Sequence, residues 1–250
     1  MTPVFDLSIP LDFTGEQPNH FGAPRAQATP IQVEGFTGDT RHGGSCNCAM
    51  LTLTPHCNGT HTETVWHITD DAVPASSAAL ALTMTAQLVT VTPVQGSACK
   101  ETTEPPLQPD DLLVTRTALE AAGAGPCEAL IVRTLPNDTA KRIADWSTRP
   151  APFFTNEAMQ FIVALGVQHL LFDGPSLDRL WDEGKLATHH IFWGLPAGSR
   201  DSQKASRREA TVTEMVFVPD AAADGRYRLS LQLAPFVTDA TPSRPLIQAD

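Results

Sequence analysis

The sequence predicts a mixed α/β fold, a β-rich core with flanking helices, and three features carry that prediction. Short runs of apolar and β-branched residues recur, among them CAMLTLT (48–54), EALIVRT (128–134) and ATVTEMVFV (210–218). Strand and helix signals take turns through the second half of the chain. The length, 250 residues with 42% hydrophobic content, is enough for a full core, and it reads as one domain spanning residues 1–250. No internal repeat or low-complexity tract interrupts it.

In chain order, Val4 to Ile9 reads as a first strand. Residues 14 to 44 are rich in Gly, Pro, Asn and Thr and predict a long irregular excursion. Such excursions are uncommon in compact domains and tend to be functional. CAMLTLT then gives a strand, followed by a His-rich turn, PHCNGTHTETVWHI (55–68). AALALTMTAQLVTVTPV (78–94) predicts further strand, and Thr103 to Asp110, Pro-rich and acidic, an exposed connection. EALIVRT is a short apolar run between Gly-Pro and Pro-Asn, as a buried strand requires. In TNEAMQFIVALG, Thr155 is an N-cap, Ala158, Phe161, Ile162 and Leu165 make one apolar face, and Gly166 is a stop, which predicts an amphipathic helix. VQHLLFDGPSLD is a strand breaking at Asp173-Gly174-Pro175. Ligands gather beyond the carboxyl ends of strands in open α/β sheets, so this turn is a candidate site wall. Two strands, Ala210 to Val218 and Tyr227 to Ala234, close the chain.

Composition narrows the function classes. A formal net charge of -11 argues against a nucleic-acid or anionic-membrane partner, because phosphate binding needs clustered Lys and Arg. There is no run of about 18 apolar residues for a membrane span. The start, MTPVFDLSIPLDF, lacks the basic and long apolar regions of a secretory signal, so a cytoplasmic protein is expected. Five cysteines, Cys46, Cys48, Cys57, Cys99 and Cys127, are an odd number and are expected to be reduced. Cys46 and Cys48 lie two apart in an extended segment and read as small buried hydrophobes, with zinc binding as the alternative. A small-molecule substrate is the remaining class.

The His-rich turn holds the chemistry. His61 and Glu63 are two residues apart and share a face in an extended chain. Imidazole beside carboxylate suits Zn, Mn or Fe equally. His67 lies four residues past Glu63, placed to hold or move a proton at the rim. Capping of strand ends is the alternative use for any single one of these histidines, but His56, His61, Glu63 and His67 together favour a site. KLATHHIFWG adds His189 and His190, which read either as site residues or as a helix surface. Glu214 stands within an apolar strand, where a carboxylate is costly unless paired or metal-bound. Alternation places it with Val212 and Val216 on the buried face.

Taken in order, LSIPL, GTHTE with a His four residues on, FDGPSLD, a His before IFWG, TEM and LQLAPFVTDATPSRPLI resemble the cyclase superfamily of metal-dependent hydrolases. Kynurenine formamidase of the bacterial type and isatin hydrolase are familiar members. The resemblance runs from about Phe5 to Ile247 and implies the family's swivelling β/β/α fold. The family pattern is His-x-Gly-Thr-His-x-Asp-x-Pro-x-His. His61 matches its second His, Glu63 stands for the Asp, and His67 matches the final His, which the resemblance makes a proton-transfer residue. The first His falls on Cys57 with His56 just before it; a thiolate favours zinc, whereas His56 requires the turn to shift by a residue. Val65 replaces the Pro. His189 and Glu214 match the ligands used when a second metal is bound.

The implied ligand set is therefore His56 or Cys57, His61, Glu63, His189 and Glu214, around one or two divalent ions, Zn2+ or Mn2+. Glu63 is either ligand or base, being one methylene longer than Asp. The implied activity is hydrolysis of a small amide or a cyclic amide or ester, an aryl formamide or isatin-like compound, with His67 delivering a proton to the leaving group. Trp66, Phe21, Phe36 and Trp193 are candidates to touch an aromatic substrate, or else core residues. A homodimer or homotetramer is implied as well. Two other readings stay open: a non-catalytic, metal-binding relative, and a thiol or redox role for Cys46, Cys48 and Cys57.

Overall fold

The computed structural model describes residues 3–78 and 81–249. Seven strands close into a barrel in the order His61–Glu63, Ala240–Ala249, Gly225–Leu233, Met84–Val91, Ala129–Thr134, His169–Phe172 and Thr211–Glu214, which returns to His61–Glu63. The central four, from Met84–Val91 to Thr211–Glu214, run parallel, and the remainder pair antiparallel. Val4–Asp6 adds outside the ring against Ala240–Ala249. Closure leaves the ring itself without a free edge.

Alternation along the parallel strands splits the core in two. Ala129 and Ile131 pack with Leu88, Leu171, Leu229 and Ile247 inside the ring. Leu130 and Val132 pack outward with Leu170, Phe172 and Val212, beneath three helices. These are α2 (Arg116–Ala121), α3 (Asn156–Ala164) and α4 (Ala187–Trp193); the single turn α1 (Pro55–Asn58) precedes the His61 strand. Ala129–Thr134 is buried throughout, as a strand covered on both faces must be. In α3 the Thr155 hydroxyl accepts from the Ala158 amide, and Gly166 leaves the helix at φ 80°.

Several expectations need correction. The first strand ends at Asp6, because the Asp6 carboxylate accepts from the Ser8 amide and turns the chain. The 78–94 reading covers a strand at Met84–Val91, and its residues 79–80 lie outside the described residues. The excursion carries short strand pairs, Gln27–Pro30 with Ala49–Thr52 and Gln32–Val33 with Phe36–Thr37. Cys46 and Cys48 are exposed, since this strand pair stands away from the body. Val216 does not share the Glu214 face: Met215 adopts φ 52°, the strand stops, and Val216 joins the inner core. A third closing strand, Ala240–Ala249, escaped the sequence reading because it holds Pro242 and Pro245. No helix among the described residues is long and apolar enough to cross a membrane.

Candidate metal centre

The GTH stretch is fixed from two sides before its histidine reaches the site. The Thr60 hydroxyl donates to the Met215 carbonyl at 2.5 Å and accepts from the Ile9 amide at 2.9 Å. His61 then pairs with Glu214, Thr62 with Thr213 and Glu63 with Val212 across the antiparallel ladder. Period-two alternation sends Thr62 to the inside, where its hydroxyl meets Thr213 at 2.7 Å, and puts His61, Glu63 and Glu214 on the helix-covered face. Glu214 is anchored by the Leu177 amide at 2.8 Å.

His189 comes from α4, with its Nδ1 2.6 Å from Asp178 Oδ2. Asp178 also accepts from the amides of Thr188 and His189, capping the helix start in place of Leu186, which has φ 46° and no capping side chain. His61 Nδ1 likewise donates to the Gly59 carbonyl at 2.9 Å. Both rings therefore present Nε2 to the same space. An imidazole with its other nitrogen held by a carboxylate or carbonyl is oriented as a metal ligand.

The α1 turn places His56 and Cys57 differently. Successive helical residues point about 100° apart, and here His56 joins the cluster while Cys57, buried, belongs to none of the ligand groups. His56 Nδ1 lies 3.0 Å from Glu63 Oε2, and its Nε2 lies 2.8 Å from Asp239 Oδ2. The short helical turn Val65–Ile68 delivers His67, whose ring stacks on His56 at 4.2 Å with Nε2 3.8 Å from Glu63 and Nδ1 3.5 Å from Asp239. His189 Nε2 completes the ring around Glu63, 3.2 Å from Oε1 and 3.8 Å from Glu214. His61 Nε2 is 3.5 Å from Glu214 Oε2.

Three sets of side chains bring their ligand atoms within 4.8 Å of one another: His56, His61 and Glu63; His56, His67 and Asp239; Glu63, His67 and His189. Glu214 borders them through its contacts with His61 and His189. His61 Nε2, His189 Nε2 and both Glu63 oxygens are buried without an aligned hydrogen bond. Imidazole nitrogens and carboxylate oxygens gathered this closely, with no thiolate among them, fit a cation of the Zn, Mn or Fe class.

The acids and rings also set each other's charge. Burial works against a charged His56 ring, but Asp239 and Glu63 outweigh it and raise it to about 10. Burial would raise Glu63, yet the charge of His67 and the adjacent His189 and His56 hold it well below the usual carboxylate range. Hydrogen bonds from His56 and His67 lower Asp239. Asp178 and Glu63 raise His189 well above an ordinary imidazole despite its burial. Cys57 moves up, chiefly by burial and also through the charge of Glu214, so its thiolate is disfavoured.

His67 also borders a cleft of about 990 Å³, shared with Leu186, His190, Ile191 and Arg200. Trp193 is fully buried, donates to the Ala210 carbonyl and packs beside His189, so it belongs to the core. Trp66 is partly buried against the same core, Phe36 is half-buried in its strand pair, and Phe21 is 54% exposed. His190 turns away and meets the Leu195 carbonyl. Asp178 and Asp239 lay inside segments already singled out, yet their roles had no local signal.

A family model described as "Putative cyclase" matches residues 5–179. No curated protein matches the sequence. Among solved structures, a potential metal-dependent hydrolase with cyclase activity superposes with TM-score 0.68 at 15% identity, over 99% of this chain and 98% of that one. A predicted metal-dependent hydrolase from Bacillus stearothermophilus gives 0.63 at 15% identity, over 99% and 98%. An isatin hydrolase bound to the product analogue thioisatinate gives 0.65 at 15% identity, over 98% and 92%. At such identity the likeness is one of fold, and the family match, over more than two thirds of the sequence, carries the assignment: this chain belongs to the cyclase family.

Proposed function

We propose that the chain is a metal-dependent hydrolase of a small amide, with an aryl formamide or an isatin-like cyclic amide as substrate. One observation carries the reading: two groups of side chains, His56 with His61 and His67 with His189, each bring their ligand atoms within 4.8 Å of one another around the buried Glu63. In this reading His56, His61 and Glu63 hold one divalent ion, Zn2+ or Mn2+, and His189 and Glu214 supply the ligands for a second. A bound ion supplies a Lewis acid and a more acidic water, whose pKa falls from 15.7 to about 7 in the best-studied zinc case.

The chain's own groups do the rest. Glu63, with an oxygen towards His189 and another towards His56, is ligand and charge centre together. His67, 27% exposed at the edge of the large cleft, moves the proton to the leaving nitrogen or oxygen. Asp239 holds His67 and His56 in place from the opposite side. General-acid transfer of this kind contributes about 10²–10⁴-fold.

The test is metal content by mass spectrometry, followed by hydrolysis of N-formylkynurenine and isatin with and without chelator. Bound metal with chelator-sensitive turnover is the expected result. Metal-loaded protein that turns over neither compound would favour the non-catalytic relative, which the Glu at position 63 makes the second reading. We also retain a homodimer or homotetramer, supported by Val33, Met50 and Leu51 lying more than half exposed on the projecting strand pairs. Light scattering reads the mass directly.

A further inference from the structure

His20 sits in the irregular excursion and is only 2% exposed, yet both its ring nitrogens lack a hydrogen-bond partner. It shares a cavity with Asp178, the carboxylate that holds His189, which ties it to the cluster. A buried polar group left open is rare in a folded chain and asks for a partner the protein itself does not provide.

The backbone spends strain to put it there. Asn19 bridges to Asp145: its amide donates to the Ala144 carbonyl, and its carbonyl accepts from the Trp146 amide. The Gly22 amide donates to the Ser147 hydroxyl at 2.6 Å, so both ends of the turn are stapled to the 144–147 segment. Between the staples, Phe21 and Gly22 have φ 57° and 61°. A bulky residue at positive φ is an outlier, and such outliers gather where position matters to function. The turn drives His20 inward and leaves the Phe21 ring outside, edge-on to Trp181 at 6.0 Å. Trp181 is 73% exposed. His20 also lines a cavity of about 200 Å³ with Trp146, Phe153, Pro175 and Asp178, the last being the carboxylate behind His189.

We propose that His20 is a substrate-contacting residue, hydrogen-bonding an uncharged polar group beside the scissile carbonyl of an aryl amide, whose ring lies against Phe21 and Trp181. The proposal rests on the hydrolase reading above. Burial lowers the ring to about 4, with His61 and His56 adding to it and Asp145 opposing, so at neutral pH it is uncharged. A neutral imidazole offers one donor and one acceptor and matches a carbonyl or ring N–H rather than a carboxylate.

The test compares the metal-loaded full chain with H20L and H20Q on isatin and formanilide, reading kcat and KM separately, alongside metal content and Tm without substrate. H20L should raise KM about tenfold, the worth of one buried hydrogen bond, with kcat and metal content held. H20Q, which keeps a donor and an acceptor, should stay within about threefold. Tm of H20L should equal or exceed that of the parent, because an unpartnered buried group has been removed. Unchanged KM in an active H20L, or a lowered Tm with KM unchanged, would overturn the role and leave the hydrolase reading standing. If the parent enzyme neither turns over these compounds nor binds thioisatinate in calorimetry, the hydrolase reading fails and takes this proposal with it.

Discussion

The inner half of the histidine cluster, His61, Glu63, His189 and Glu214, is at most 3% exposed. The outer half, His56, His67 and Asp239, keeps 21% to 38% of its side-chain surface open. Inner rings are locked from behind, by Gly59 and Asp178, and turn unsatisfied nitrogens forward. Outer rings stack on each other and share one carboxylate. In the proposed hydrolase the difference would divide the work between holding an ion, which the inner groups share with His56, and exchanging protons, which falls to His67. A group that must hold an ion is best fixed and dry, where its electrostatics are strongest, whereas a group that must exchange protons needs contact with water and some freedom.

The largest expected effect comes from removing the inner carboxylate that both halves touch. Glu63→Gln should abolish bound metal and lower kcat/KM by at least about 10³-fold, the upper part of the range for a reacting group; metal analysis and steady-state kinetics check it. His67→Ala sharpens the division next: kcat should drop by about 10²–10⁴-fold while metal content stays at the parent level. Loss of metal in that variant would erase the distinction between the halves.

Asp178→Asn should weaken metal affinity by about 10–100-fold, as loss of an orienting carboxylate does, measured by competition with a chelating dye. A pH series comes next in size. His56, raised to about 10, stabilises the metal-free protein below its ordinary 6.5, and that contribution is lost as pH rises through about 10. Asp239, lowered, contributes above its ordinary 3.8 and less as pH falls below it. Calorimetry in chelator should therefore show highest Tm between these limits and a decline on the alkaline side. With metal present the alkaline decline should flatten, because ligation requires the neutral ring. Cys57→Ser should be smallest, changing metal content and kcat/KM by less than about twofold, since the thiol belongs to neither half.

How much of this was legible depends on how local each signal is. His61 and Glu63 could be paired from the sequence because alternation has a fixed period, and the ladder keeps it. The α3 helix was readable down to its cap at Thr155 and its stop at Gly166. The different surroundings of His56 and Cys57 were not, because a single turn at Pro55–Asn58 separates two adjacent side chains, and only His56 joins the ligand groups. Asp239 escaped because its meaning comes from rings more than 170 residues earlier in the chain. The Ala240–Ala249 strand was hidden by two prolines; at Pro245 the neighbour uses the carbonyl, which accepts from the Leu7 amide.

By itself the sequence determined the periods, the caps and the ligand-capable residue types, since each depends on neighbours a few positions away. Only the tertiary structure decided which of those side chains meet. Barrel closure brings His56, His61, Glu63, His67, His189, Glu214 and Asp239 together, and the staple at 144–147 turns His20 inward. Contacts between distant segments are set by which strands lie side by side, a property of the whole ring that no local pattern encodes.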